Sequence, residues 1–236
     1  MSTSLVIIPT YNEIENIESI IGAVFALPVE FDILIVDDGS PDGTGSQVEL
    51  LISKFPDRLF LMKRPQKSGL GTAYIAGFKW ALNRNYEYIL EMDADFSHPP
   101  AKLVELMESC ASGNADVSVG SRYIPGGGVV NWPFLRLLLS KSASIYVQWI
   151  TGMKVKDPTA GFVCYSRKVL EQIELDKIRF VGYAFQIEMK YNAFKLGYRI
   201  KEIPIIFPDR VKGKSKMNIL IILEALLGVF KMRFGN

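Results

Sequence analysis

Four short apolar runs, Leu5–Ile8, Asp32–Val36, Leu59–Met62 and Tyr88–Met92, are each followed or separated by a segment of helical period. After the first run, Ile14, Ile17, Ile20, Ile21 and Val24 recur at the spacing of one helix face. The amphipathic Gln47–Phe55 and the apolar Thr72–Leu82 fill the next two intervals. This βαβαβαβ rhythm fixes the fold class as α/β, with a mostly parallel central sheet covered by helices on both faces. The chain has 236 residues and 49% hydrophobic content, enough for a full core.

The strand ends carry the chemistry. Tyr88–Met92 runs straight into Asp93-Ala94-Asp95, and open α/β sheets bind ligands beyond the carboxyl ends of their strands. Two carboxylates one residue apart repel unless a cation lies between them, so Asp93 and Asp95 read as oxygen ligands of a divalent metal shared with a phosphate. An Asx turn capping the helix near Pro100 would also use such a pair. A second acidic strand end, Asp37-Asp38-Gly39-Ser40, and a third polar one, Pro9-Thr10-Tyr11-Asn12-Glu13, favour the ligand site.

A dinucleotide fold would place G-x-G-x-x-G after its first strand, but the turn here is Pro9–Glu13, without glycine. A P-loop is also missing from the sequence. Phosphate is then expected on a metal rather than in a glycine cradle. Glu13 and Asp38 are placed to accept hydrogen bonds from base and ribose, and Tyr11 to flank the base. These two acids do not distinguish guanine from uracil.

Composition limits the alternatives. A net charge of +2 is too balanced for nucleic acid binding by bulk charge. One His and two Cys cannot build a zinc cluster, and Cys110 and Cys164 read as reduced thiols of a cytosolic protein. The opening residues read as a strand rather than a secretion signal. No stretch reaches the roughly 18 to 20 consecutive apolar residues that cross a bilayer.

Taken together, Pro9–Glu13, Asp37-Asp38-Gly39-Ser40-Pro41-Asp42-Gly43-Thr44, Gly69-Leu70-Gly71 and Asp93–Pro100 resemble the inverting, metal-dependent glycosyltransferases of family 2 with the GT-A nucleotide-sugar fold. More narrowly the chain resembles the polyprenyl (dolichyl)-phosphate mannose synthases. The resemblance runs from about Leu5 to Lys216. It implies a catalytic domain over 1–216 and an amphipathic C-terminal helix over 217–236, packed on the domain or lying at a membrane surface.

The resemblance also implies a donor site of Pro9, Tyr11, Glu13, Val36, Asp38, Lys67, Leu70, Asp93, Ala94, Asp95 and Arg122, closed by Arg210 and Lys216 of the basic Arg210–Lys216 loop. Arg122, Arg136 and Ser140 are expected to take the acceptor phosphate, with Asp95, Arg122 and Arg136 as the catalytic residues. Relatives often carry Gln two residues after the second Asp as a metal ligand, and this chain has Ser97, whose hydroxyl can still coordinate Mg²⁺ or Mn²⁺.

Trp132–Ile150 is apolar over most of a helix circumference, which suits a core position. The resemblance instead sends this segment towards the membrane and the lipid phosphate. Implied partners are GDP-mannose or another nucleotide sugar, a polyprenyl phosphate, the cytoplasmic face of the membrane as a peripheral surface, and a small membrane-anchoring protein. A UDP-glucose-dependent polyprenyl-phosphate glucosyltransferase would use the same residues. A silent nucleotide-sugar-binding module is the non-enzymatic alternative.

Overall fold

The computed structural model describes residues 2–182, 184–208 and 228–234. Four parallel strands come first: β1 (Ser4–Thr10), β2 (Asp32–Asp37), β3 (Leu59–Lys63) and β4 (Tyr88–Glu91). Between them run α1 (Ile17–Phe25), α2 (Thr44–Ile52) and α3 (Leu70–Leu82), and α4 (Lys102–Ala111) follows β4. The second half holds β5 (Val117–Ser121), β6 (Gly128–Val130), α5 (Phe134–Thr151), β7 (Val163–Ser166), α6 (Arg167–Gln172), a 3-10 turn (Leu175–Lys177), α7 (Ala184–Lys195), β8 (Ile200–Pro204) and β9 (Ile206–Pro208).

The central sheet has seven strands in the order β3-β2-β1-β4-β7-β5-β8. All pairings are parallel except those of β7, which is antiparallel to both β4 and β5. The expected mostly parallel sheet is therefore present, with one reversed strand inside it, next to β4. That reversal matters for the site. Val163, the first residue of β7, pairs with Glu91, the last of β4, so the turn entering β7 lies at the same edge as Asp93. Because β4 and β5 both run against β7, the carboxyl end of β5, where Arg122 follows, reaches that edge too.

Alternation along each strand feeds two cores, one per face. Leu5, Ile7, Leu34, Val36 and Ile89 pack with Tyr74 and Phe78 of α3 and Phe185 and Met189 of α7. Val6, Ile8, Ile33, Ile35 and Leu90 pack with Ile17, Ile20 and Val24 of α1, Val48 of α2 and Leu103 and Leu106 of α4. Both faces being covered, the strands read as continuous apolar runs rather than as half-polar ones.

Three sequence readings shift. The segment Arg199–Phe207, whose alternation in the sequence reads as one strand, is split at Ile205 between β8 of the main sheet and β9, which pairs with β6 in a small second sheet. Strand β4 stops at Glu91, leaving Met92 to the loop. The helix expected from Trp132 starts at Phe134. Of the proposed C-terminal helix over 217–236, only a helical stretch at 228–234 is described, and Val229 there packs with Val147 of α5 and Ile187 and Tyr191 of α7.

Candidate active site

The acidic pair sits where the sequence placed it, just beyond β4, and the loop around it is built by short-range hydrogen bonds. Asp95 Oδ1 accepts the N–H of Ser97 at 3.1 Å, an Asx turn. The capping alternative is not realised: α4 begins at Lys102 with Ala101 at its N-cap and no side-chain cap. Phe96 lies in the left-handed region, φ 60°, a conformation an aromatic residue takes only when its surroundings impose it.

His98 ties down the same loop. Its ring is almost fully buried, stacks on Phe162 at 4.9 Å and meets Phe207 edge-on at 5.7 Å. Its Nδ1 accepts the backbone N–H of Asp93 at 3.0 Å, which requires the neutral tautomer protonated on Nε2. The only histidine of the chain thus anchors the acidic loop. Sequence reasoning passed over it, although its position one residue after Ser97 in the motif was a usable signal.

The other two strand ends are tied to each other. Asp37 Oδ1 accepts the hydroxyls of Thr10 at 2.9 Å and Ser40 at 2.6 Å, and its Oδ2 accepts the Ser40 N–H at 3.1 Å. The backbone N–H of Asn12 donates to Ser40 Oγ, and that of Glu13 to Thr44 Oγ1. Asp42 accepts from Thr44 and from the Ile14 N–H; burial would raise its pKa, and these hydrogen bonds hold it below the ordinary carboxylate value. Asp37 and Asp42 therefore shape the loops, while Asp38 and Glu13 are the acids expected at the donor.

Asp38 is nearly buried, and burial raises its pKa against the opposing charge of Arg64, whose Nη1 lies 3.3 Å away. Arg64 in turn donates to Thr72 Oγ1 at 2.6 Å. Arg64 was not singled out from sequence, yet it follows β3 directly and is a fourth polar strand end. Lys67 lies with its Nζ 4.6 Å from the centroid of the Tyr11 ring, so two expected donor residues meet. Pro9, Val36 and Ala94 contribute backbone and small apolar surface at the same edge, with Val36 and Ala94 buried. Leu70 opens α3, partly exposed. Next to it, Gly71 has no room for a side chain: a Cβ there would come within 2.7 Å of the Phe185 ring.

The three residues expected at the acceptor phosphate also come together. Tyr123 donates its hydroxyl to Ser140 Oγ at 2.6 Å. The Arg136 guanidinium lies over the Trp132 ring at 3.9 Å, and that of Arg122 lies 5.5 Å from the same ring. Arg122 is more deeply committed than the sequence suggested. Its Nε and Nη2 make 2.6 Å hydrogen bonds to the two oxygens of the fully buried Asp157, and Nη2 also donates to Thr159 Oγ1 at 2.9 Å. Such a fork-to-fork pair fixes the guanidinium plane. Asp157 itself accepted no role from sequence beyond a turn.

One aromatic chain joins the two sides: His98 touches Phe207, and Phe207 meets Trp132 edge-on at 5.6 Å. Arg210 and Lys216, expected to close over the donor, lie outside the described residues.

Among the described residues no group of three or more His, Cys, Asp and Glu side chains converges on one point. The acidic loop instead offers two carboxylates and the buried Ser97 Oγ, which has no hydrogen-bond partner among the described residues. Hard oxygen donors in that number fit a Mg²⁺- or Mn²⁺-class ion that completes its shell with water and diphosphate oxygens.

Residues 5–174 match the family described as glycosyl transferase family 2. The chain is 48% identical over 226 residues to the polyprenol monophosphomannose synthase of Mycolicibacterium smegmatis, covering 96% of this chain and 85% of that protein. It is 44% identical over 225 residues to the undecaprenyl-phosphate mannosyltransferase of Micrococcus luteus, covering 95% and 91%. In fold it is similar to a mannosyltransferase of Pyrobaculum calidifontis solved with GDP-Man and Mn²⁺, with a TM-score of 0.61 at 16% identity over 99% of this chain and 70% of that one. With its GT-A-like sheet flanked by helices, the chain belongs to glycosyl transferase family 2.

Proposed function

We propose that the protein transfers mannose, with inversion, from GDP-mannose to a polyprenyl phosphate at a membrane surface, in a reaction that depends on Mg²⁺ or Mn²⁺. The observation that carries this reading is the single sheet edge at which the donor loops and the Arg122, Arg136 and Ser140 set lie, joined through His98, Phe207 and Trp132. The mannosyl-phosphate relatives at 48% and 44% identity support mannose as the sugar and polyprenyl phosphate as the acceptor.

In this reading Tyr11, Glu13, Asp38 and Lys67 bind the nucleoside, and Asp93 and Asp95, with Ser97, hold the metal. When bound, the metal offsets charge on the departing diphosphate. The acceptor needs no strong base, because a phosphate monoester with a second pKa near 6 is already largely ionised at neutral pH. The chain contributes position and charge. Arg136 and Ser140 orient the acceptor phosphate, and Arg122, fixed by Asp157 and Thr159, stands between acceptor and donor sides. Arg210 and Lys216, outside the described residues, are assigned to the diphosphate. Contact with the cytoplasmic membrane face is peripheral; among the described residues no helix is long and apolar enough to cross a bilayer.

The test is a donor screen with GDP-mannose and UDP-glucose, polyprenyl phosphate and Mn²⁺ or Mg²⁺, reading labelled lipid product. GDP-mannose is expected to be the productive donor. Asp95→Asn is expected to lower turnover by about 10²-fold or more with an unchanged melting temperature. Product from UDP-glucose alone would reassign the sugar, and near-normal turnover of the variant would remove the metal role.

A further inference from the structure

The end of α6, the 3-10 turn, the carboxyl half of α7 and the helical stretch at 228–234 enclose a polar cavity of about 310 Å³. It shares no residue with the candidate active site. Its charged lining is Lys177, Arg179, Lys195 and Lys231, against Glu174 and Glu188.

The two carboxylates are already engaged. Glu188 Oε2 accepts the backbone N–H groups of Arg179 at 2.9 Å and Phe180 at 3.0 Å. Glu174 pairs with Lys177 at 2.7 Å. Near the end of α7 the carbonyls of Asn192, Phe194 and Ala193 accept the N–H groups of Leu196, Gly197 and Tyr198. Lys195 and Lys231 then line the cavity with no carboxylate partner among the described residues, and Arg179, whose charge faces Glu188, completes a lining of four cations against two carboxylates. A cavity with this balance selects an anion.

Its surroundings select the kind of anion. Tyr191 and Met232 line the cavity and also belong to the apolar cluster that receives Val147 and Ile150 of α5. The outer face of α5 carries Ile145 and Trp149, 66% and 81% exposed. Flanking Lys231, Phe230 and Phe234 lie one turn apart with ring centroids at 4.8 Å, both largely exposed. A cationic cavity with exposed Phe230 and Phe234 on the helical stretch that supplies Lys231 matches a headgroup phosphate with hydrocarbon beside it, whereas a freely soluble phosphate has no use for those aromatic side chains. We propose that this cavity holds the headgroup phosphate of an anionic bilayer lipid, distinct from the acceptor, and so fixes the angle at which the protein lies on the membrane. The proposal stands apart from which sugar or base the enzyme uses.

The full chain is to be sedimented with vesicles of phosphatidylcholine alone and with vesicles enriched in phosphatidylglycerol. Wild type is expected to prefer the anionic vesicles. The double variant Arg179→Gln/Lys231→Gln is expected to lose roughly five-fold in affinity per charge removed, on the order of 25-fold in total, while Lys54→Gln/Lys102→Gln changes by about two-fold or less. Transfer to a short-chain, water-soluble acceptor phosphate serves as the check that each variant is folded. Equal losses in both double variants would reduce the effect to overall charge and overturn the site. So would an absence of preference for phosphatidylglycerol, or inorganic phosphate binding that the cavity variant abolishes while its vesicle binding stays at the wild-type level.

Discussion

Glu91 closes β4 with its carboxylate fully buried, two residues ahead of Asp93, and neither oxygen finds a hydrogen-bond partner among the described residues. Gln186 approaches it without reaching hydrogen-bond geometry. Burial pushes Glu91 up to about 8, against the opposing charge of Lys190. Lys190 is equally buried, and burial pushes it down to about 8 against the charge of Glu91, while its Nζ donates to Ala160 O at 2.6 Å and to Gln186 O at 3.0 Å. The lysine thereby holds the turn that presents Asp157 to Arg122. The signs follow from proton counts. Between 4.5 and about 8 the folded state binds more protons at Glu91 than the unfolded chain does, so stability falls as pH rises through that window. Between about 8 and 10.5 the unfolded chain binds more at Lys190, so stability recovers. The pair contributes a trough near pH 8, with a limiting slope of about 1.4 kcal/mol per pH unit, and each kcal/mol moves the melting temperature of a chain this size by about 2–4 °C. Glu91→Gln cannot ionise and is expected to flatten the decline between pH 5 and 8 in thermal unfolding. A variant profile parallel to that of wild type would show that Glu91 is already charged across the range.

At the scale of elements, α5 is the helix whose surroundings sequence could not supply. Its apolar residues cover most of the circumference, so periodicity suits a core helix as well as a lipid-facing one. The structure buries only Ser144, Val147 and Thr151 of it, with Val147 in a cluster shared with α7 and the 228–234 stretch, and leaves Phe134, Leu138, Ile145 and Trp149 outward on one face. Ser144 and Thr151, two of those three buried positions, carry little weight in a hydropathy reading. An outward apolar face on a helix that also holds Arg136 and Ser140 suits contact with the lipid that bears the acceptor phosphate. Leu138→Ser/Trp149→Ser is expected to leave the melting temperature nearly unchanged, since exposed positions contribute within about 0.5 kcal/mol. Vesicle binding and use of a long-chain acceptor are expected to fall about ten-fold or more, the loss of two buried apolar side chains, with a short-chain acceptor little affected. Equal loss on both acceptors would assign the helix to the chemistry rather than to the membrane.

Across the whole molecule, what could be read from sequence was local and what could not was tertiary. The four opening strands and the acidic loop were legible because apolar runs, helical periods and strand-end carboxylates are all encoded within a few residues of one another. Asp157, Arg64 and His98 owe their roles to partners brought together by the sheet: Asp157 pairs with Arg122, 35 positions away, and His98 with Phe162 and Phe207. The reversal of β7 and the division of the last extended segment at Ile205 are likewise set by neighbours rather than by the strands' own composition. The resulting molecule has two working surfaces, a polar sheet edge built by β1, β2, β4 and β5, and an apolar flank built by α5, α7 and the 228–234 stretch. Helix α7 borders both, but the acidic loop and the outward apolar side chains share no residue, so they are expected to respond separately. Chelation of divalent metal should weaken GDP-mannose binding, followed by calorimetry, by at least about ten-fold, because the diphosphate then faces Asp93 and Asp95 without an intervening cation. The same chelation should leave sedimentation with phosphatidylcholine vesicles unchanged, since the flank presents side chains that no metal holds. If EDTA released the protein from vesicles, the acidic loop and the apolar flank would have to be one coupled unit; if it left the binding heat of GDP-mannose untouched, the carboxylates beyond β4 would have to serve the nucleotide without a metal.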